Sequence, residues 1–211
     1  MTTGLPPELN SLKNTIRQIV NDECQQLEPA YLAHPPQEGV EQAGAPRGIL
    51  ESVPGILGTL SESQWNRLHQ VSKETGIYTS FVPEEYGGGG MGALGHVVLE
   101  EEIHKSIVHL PTSPVPMFMI GACTHEQEQK YLYPAINGES YYAFCQTEPE
   151  AGSDPGGMMQ TMAVKDGDDW VLNGTKMFIS GAATADFLLV QAVTDPDLRQ
   201  RGGITMFIID N

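Results

Sequence analysis

Positive charge is scarce in this chain: 11 Lys and Arg stand against 27 Asp and Glu among 211 residues, a formal net charge of −16. A nucleic-acid-binding face needs clustered Lys and Arg to displace counterions from phosphates, so the composition excludes that partner class. Docking on an anionic membrane surface is disfavoured for the same reason. Long apolar runs are missing too: none approaches the ~18 residues needed to span a bilayer. The opening Met1-Thr2-Thr3-Gly4-Leu5-Pro6-Pro7 lacks a basic region followed by an apolar core. These absences lead us to expect a soluble, untargeted, cytoplasmic chain without a membrane span. Cysteine is sparse. Cys24, Cys123 and Cys145 are odd in number and far apart, which leaves neither a disulfide framework nor a CxxC metal knuckle and suits a reducing compartment.

At roughly 100–200 residues per domain the chain can hold one or two domains with cores of their own. Its acidic excess serves solubility and says little about fold. Sequence periodicity changes near residue 140. Before it, Leu9, Leu12, Ile16, Ile19, Val20 and Leu27 recur at helical steps between Pro7 and Pro29, predicting a helix with proline at each end. Residues 33–60 are rich in Gly and Pro and read as a long loop. Ser61-Glu62-Ser63-Gln64 is a capping box flanked by Leu60 and Trp65 at hydrophobic-staple spacing, opening a helix that should stop at Gly76. A further helix is expected over about 93–106, with Leu94, Val97 and Val98 on one face and Glu100-Glu101-Glu102 partly on the solvent side. Thr124-His125-Glu126-Gln127 repeats the capping box before a helix ending near Gly138.

After residue 140 the pattern is β. Ser140 to Cys145 is a β-rich run, Thr161 to Lys165 alternates and meets Asp166-Gly167, and Trp170-Val171-Leu172 meets Asn173-Gly174, a type I′ hairpin signal. Phe187 to Val193 and Ile204 to Ile209 supply two more strands. We expect an antiparallel sheet domain that stops at Asn211 where a neighbouring strand would normally cover its last edge. The fold class is therefore α+β: an all-α domain over 1–139, then an incomplete antiparallel barrel or sandwich over 140–211.

Several motifs compete for the chemistry. Gly87, Gly89 and Gly92 satisfy G-x-G-x-x-G, but Glu84-Glu85 just before them would repel a pyrophosphate, no βαβ unit surrounds them, and no acidic residue follows at the ribose position. A loop between helices explains them better. Glu101 and His104 form half of a di-iron Glu-x-x-His ligand set without its second copy, and the six histidines show no H-x-x-x-H spacing, so no metal is assigned. Ser153 lies outside any Gly-x-Ser-x-Gly elbow, and the cysteines fit inert, buried thiols.

The most specific stretch runs from Phe144 to Asp154. A strand ends in a polar turn where Thr147 offers a hydroxyl, Pro149 fixes the backbone and Gly152 permits close approach of a ligand. Backbone donors and short hydroxyls suit the polar edge of a flat heterocycle or a phosphate. Thr147-Glu148-Pro149-Glu150-Ala151-Gly152-Ser153-Asp154 resembles the T-E-P-x-A-G-S-D signature of the flavin-dependent acyl-CoA dehydrogenases. Three further segments agree in order and spacing. Pro83-Glu84-Glu85-Tyr86-Gly87-Gly88 resembles the family's P-E-E-Y-G-G turn, and the stretch from Glu126 to Glu139 resembles E-Q-K-x-x-Y-L-x-P-x-x-x-G-E with its Gln-Lys shifted by two places. Leu172-Asn173-Gly174-Thr175-Lys176 with Ile179-Ser180 resembles L-N-G-x-K-x-x-I-[ST].

The resemblance implies a helical domain, a middle β-domain and a C-terminal four-helix domain beyond residue 211, with FAD as cofactor, an acyl-CoA substrate and a role in fatty acid metabolism. It implies electron-transfer flavoprotein or a similar acceptor as redox partner, and a homo-oligomer, dimer or tetramer. Carried over by position, Phe144, Gln146, Thr147, Gly152 and Ser153 line the flavin, Thr147 bonds the ring edge, and Ser153 also contacts acyl-CoA. Phe178, Ile179 and Ser180 match the second flavin segment; the family often has Trp and Thr where Phe178 and Ser180 stand. The family's base is a Glu of the C-terminal domain, so no catalytic residue is expected here, and the 211 residues alone should neither hold stoichiometric FAD nor turn over. The loop at 33–60 exceeds the family's usual length, which bears on substrate preference. An acyl-CoA oxidase, a nitroalkane oxidase or a non-catalytic subunit of a split dehydrogenase would share these features.

Overall fold

A computed structural model of the chain describes residues 4–33 and 60–211. The expected loop over 33–60 lies, but for its ends, outside the described residues. The described chain forms two units, one of residues up to 139 and one of residues 140–211. The first is helical and the second is built on a sheet, in the order expected.

In the helical unit, α1 spans Pro7–Ile19 and buries Ile16, with Val20 and Cys24 continuing the same face. The chain does not stop at Pro29. It passes through a π turn at Val20–Cys24 and a 3-10 turn at Gln25–Leu27 into α2, Glu28–Ala33. Pro29 sits in the first turn of α2, where no intrahelical N–H is needed, so proline starts a helix there instead of ending one. Helix α3, Glu62–Glu74, opens on the expected capping box: Gln64 N–H donates to Ser61 Oγ at 3.3 Å and Ser61 N–H to Gln64 Oε1 at 2.8 Å. Leu60 and Trp65 join the core with Leu68 and Val71, and the chain turns off at Gly76. Helix α4 spans Ala93–Ile103 and packs Leu99 and Ile103 on the α1 face. A second capping box at Thr124 heads α5, His125–Gln127, which runs through a π turn at Glu128–Leu132 into α6, Tyr133–Asn137.

One carboxylate of the acidic run on α4 is inside. Glu102 is 0% exposed and accepts from Arg17 Nε and Nη2 at 2.9 and 3.0 Å and from Lys105 Nζ at 2.6 Å, with Lys13 Nζ at 3.4 Å. Hydrogen bonds from Arg17, then from Lys105, hold its carboxyl at about 2 despite burial. Glu101 bonds Lys13 at 2.9 Å while His104 Nδ1 lies 3.0 Å from the Glu100 carbonyl, so Glu101 and His104 serve separate partners. The glycines of the G-x-G-x-x-G match follow a 3-10 turn, Glu84–Tyr86, in place of the strand a dinucleotide site needs. Tyr86 anchors that turn: its hydroxyl donates to Glu128 at 3.2 Å and accepts from Gly121 N–H at 3.2 Å.

The second unit has β1 (Tyr142–Cys145), α7 (Pro155–Met158), β2 (Met162–Asp166), β3 (Asp169–Asn173), β4 (Phe187–Val193) and β5 (Ile204–Asp210). β4 is central and mostly buried. β5 runs antiparallel along its whole length, from Phe187↔Asp210 to Val193↔Ile204. The opposite edge takes β1 in parallel, Tyr142↔Phe187 to Cys145↔Val190, and then β2 in parallel at Met162↔Val193. The sheet is thus mixed, a correction to the antiparallel expectation. Residues 146–186 form a crossover long enough to bring the chain back to the starting end before β4, which a parallel pair requires. Side-chain alternation carries no information on strand direction.

A second correction concerns the turn. β2 and β3 pair antiparallel through Gly167-Asp168, with Gly167 at φ 64 taking the first loop position. Asn173-Gly174 makes no hairpin: β3 ends at Asn173 and, among the described residues, no strand pairs back across it. Its glycine answers to packing, since a Cβ on Gly174 would lie 2.6 Å from Thr161 Cα. Among the described residues no helix is long and apolar enough to cross a membrane.

Candidate functional site

The candidate site is built at the end of β1, inside the second unit. Alternation buries Ala143 and Cys145 and turns Phe144 and Gln146 to the other face. Phe144 aligns with Leu189 of β4, and Gln146 Nε2 donates to Gln191 Oε1 at 2.8 Å, which holds its amide in place. The chain then leaves the sheet. Glu148 and Ala151 exchange N–H···O bonds of 3.2 Å in both directions, closing a tight turn over Pro149-Glu150. Past it, Gly152 and Ser153 are exposed, and Asp154 caps the short α7 by accepting from Gly157 N–H at 3.0 Å.

The two signature segments lie side by side. Met177 N–H donates to the Thr147 carbonyl at 3.0 Å, and Lys176 Nζ donates to the Gln146 carbonyl at 3.0 Å and to Glu148 Oε1 at 2.8 Å. The Glu148 side chain is 2% exposed and also accepts from the N–H groups of Gln160 and Thr161. Burial pushes its carboxyl up, but Lys176 and those N–H groups outweigh it and hold the group at about 2. Neither Glu148 nor Lys176 was assigned a role from the sequence. The signal was a carboxylate in a strand-end turn and a lysine in the second motif, and only the fold pairs them.

Directly after Met177, Phe178 has a left-handed backbone, φ 57, and is 83% exposed. A non-glycine residue in that conformation is strained, and the ring is left open to solvent. Ile179 is half-buried and Ser180 exposed. Gln146 and Thr147 are therefore joined to the 176–180 segment, with Phe144 on the same strand and paired with Leu189. No hydrogen bond among the described residues ties Gly152 or Ser153 to it.

These residues fit a flavin cofactor. The hydroxyls of Thr147, Ser153 and Ser180 and the N–H groups of Gly152, Ser153, Phe178, Ile179 and Ser180 have no hydrogen-bond partner among the described residues. A Cβ on Gly152 would meet no atom within 4 Å, so that backbone stands open to a ligand. Cations for phosphates are scarcer: Lys176 is engaged by Glu148, and Arg199 donates to the carbonyls of Gly157 and Met159 at 3.2 and 2.6 Å.

Other candidates are weaker. A cleft of about 470 Å³ in the helical unit is lined by Phe81, Pro83, Glu84, Glu85, Gly90 and Met91, and its carboxylates oppose a phosphate ligand. Burial pushes the Cys24 thiol up to about 12 and raises those of Cys123 and Cys145, the opposite of an activated nucleophile.

Comparison with known proteins agrees with this architecture. Residues 60–139 match the family model "Acyl-CoA dehydrogenase, N-terminal domain" and residues 143–211 match "Acyl-CoA dehydrogenase, middle domain". The chain belongs to the acyl-CoA dehydrogenase family, a family of oxidoreductases. It is 40% identical over 146 residues to the 3-(aryl)acrylate reductase of Clostridium sporogenes, covering 65% of this chain and 38% of that protein. It is 40% identical over 135 residues to the short-chain specific acyl-CoA dehydrogenase of Clostridium acetobutylicum, covering 60% of this chain and 35% of that one. The acyl-CoA dehydrogenase structure from Geobacillus kaustophilus overlays with a TM-score of 0.62 at 26% identity, over 100% of this chain and 50% of the other. The chain thus spans about half the length of that solved relative.

Proposed function

We propose that this chain forms the helical and middle-domain part of an FAD-dependent enzyme that desaturates an acyl-CoA thioester between its α and β carbons. The observation that carries the reading is the exposed, left-handed Phe178 directly after Met177, whose N–H bonds the Thr147 carbonyl and so brings the two signature segments together. When bound, FAD would supply the acceptor for the β-hydride. The protein's part is to seat and orient it. Thr147 and the free N–H groups would meet the polar ring edge, Phe144 and Phe178 would pack on the ring system, and Gln146, fixed by Gln191, would add an amide at its rim. Gly152 and Ser153 would take the dinucleotide arm, with Ser153 also reaching the CoA ester. On this reading the carboxylate that removes the α-proton would come from a C-terminal helical domain, and none of the described residues is given that role. Hydrogen bonds to the thioester carbonyl acidify that proton, as general-base chemistry at a carbon acid requires.

Electron-transfer flavoprotein or a similar acceptor would reoxidise the enzyme, a dimer or tetramer of a cytoplasmic protein. With few free cations here, the phosphates of FAD and CoA would draw positive charge from the C-terminal domain or a neighbouring subunit. Because one relative is named a reductase, the reverse direction, saturation of an enoyl or aryl-acryloyl thioester, belongs in the same assay. In the complete polypeptide, Ser180→Ala should slow flavin reduction about tenfold by removing a hydroxyl from the reacting edge of the ring. Stopped-flow absorbance measures it, and an unchanged rate would remove Ser180 from the site.

A further inference from the structure

We propose that Glu148 and Lys176 act together as positioning residues for the cofactor, clamping the strand-end turn to the 176–180 segment so that both present one continuous binding edge. This rests on the flavin reading above. The geometry is specific to that task. The Glu148 carboxylate is 2% exposed and Lys176 11% exposed, and the single Lys176 ammonium spans from Glu148 Oε1, 2.8 Å away, to the Gln146 carbonyl, 3.0 Å away. The residues on either side of these contacts are Gln146 and Thr147 on one segment and Met177 and Phe178 on the other. Met177 closes the seam through the Thr147 carbonyl at 3.0 Å. Without the ammonium, the carboxylate keeps only the backbone donors of Gln160 and Thr161, which belong to the lead-in to β2 and hold nothing of the 176–180 segment. An ion pair contributes little net stability when buried, yet removing one partner leaves an uncompensated charge, so its natural use is to fix geometry.

The test uses the complete polypeptide as holoenzyme, comparing Lys176→Met, Lys176→Arg and the double change Glu148→Gln with Lys176→Met. Lys176→Met should raise the FAD Kd roughly 10- to 100-fold, the scale on which loss of an orienting partner weakens a bound group, and should shift the flavin absorption band. Lys176→Arg should restore most of the affinity. The double variant, which carries no buried charge, should recover part of the affinity without recovering the band position. Lys176 is the charged group bonded to the carboxylate, and the Cys145 thiol, which feels Lys176, is raised by burial and stays neutral. FAD affinity of the parent should therefore be flat between about pH 5 and 8, whereas Lys176→Met should bind more tightly as pH falls and Glu148 takes up a proton. A Lys176→Met protein with the parent's Kd, band and pH profile would overturn the clamp while leaving the flavin reading intact. A parent protein that binds no FAD would overturn both.

Discussion

Glu102→Gln should markedly reduce the acid sensitivity of the helical unit. In the parent, the Glu102 carboxyl sits at about 2 in the fold because Arg17 and Lys105 bond it, against an ordinary value near 4.5. A depressed carboxyl contributes stability that is fully present above its unfolded value and is lost as pH falls through its folded value, so the window runs from about pH 5 to about pH 2. The contribution is at most about 3 kcal/mol, because Arg17 is 45% and Lys105 41% exposed and water screens them. Denaturation followed by far-UV circular dichroism across that window should show the parent losing stability steeply and the Gln variant, weaker at neutral pH, losing much less. Parallel acid profiles would mean that the α1–α4 clamp contributes nothing.

The second large effect falls at Gly174. Alanine there would place its Cβ 2.6 Å from Thr161 Cα, a backbone atom that cannot swing aside. Overpacking of this kind costs about 2–3 kcal/mol, and the displaced 174–176 segment should pull Lys176 from Glu148. Gly152→Ala is the contrast, since its Cβ meets no atom within 4 Å and apo stability should hold. Urea midpoints of the two variants decide it. Equal midpoints would contradict the close approach of β3 to residue 161.

That glycine shows how far sequence reading reaches. Asn173-Gly174 carries the signature of a hairpin turn, yet the constraint on it is a neighbour thirteen residues back that local pattern cannot disclose. Features written in local chemistry were legible: both capping boxes, the helix end at Gly76, the five strands and the Gly167 turn. Features that depend on where distant residues meet were not. The parallel pairing of β1 with β4 follows from the crossover at 146–186, Pro29 falls in the first turn of α2 where it is tolerated, and Glu102 is buried between Arg17 and Lys105 whereas Glu101, which also reaches Lys13, stays half exposed. The candidate site divides in the same way. Phe144, Gln146, Thr147, Gly152, Ser153, Phe178, Ile179 and Ser180 are marked by resemblance, whereas the left-handed backbone of Phe178 and the Glu148–Lys176 pair arise only from the fold.

The most direct test is the visible absorption spectrum of the complete polypeptide, reconstituted with FAD and then mixed anaerobically with a series of short, branched and aryl acyl-CoA thioesters. The proposed function predicts a stoichiometric flavin band that at least one thioester bleaches. A protein that retains no flavin, or whose band no thioester changes, would contradict it.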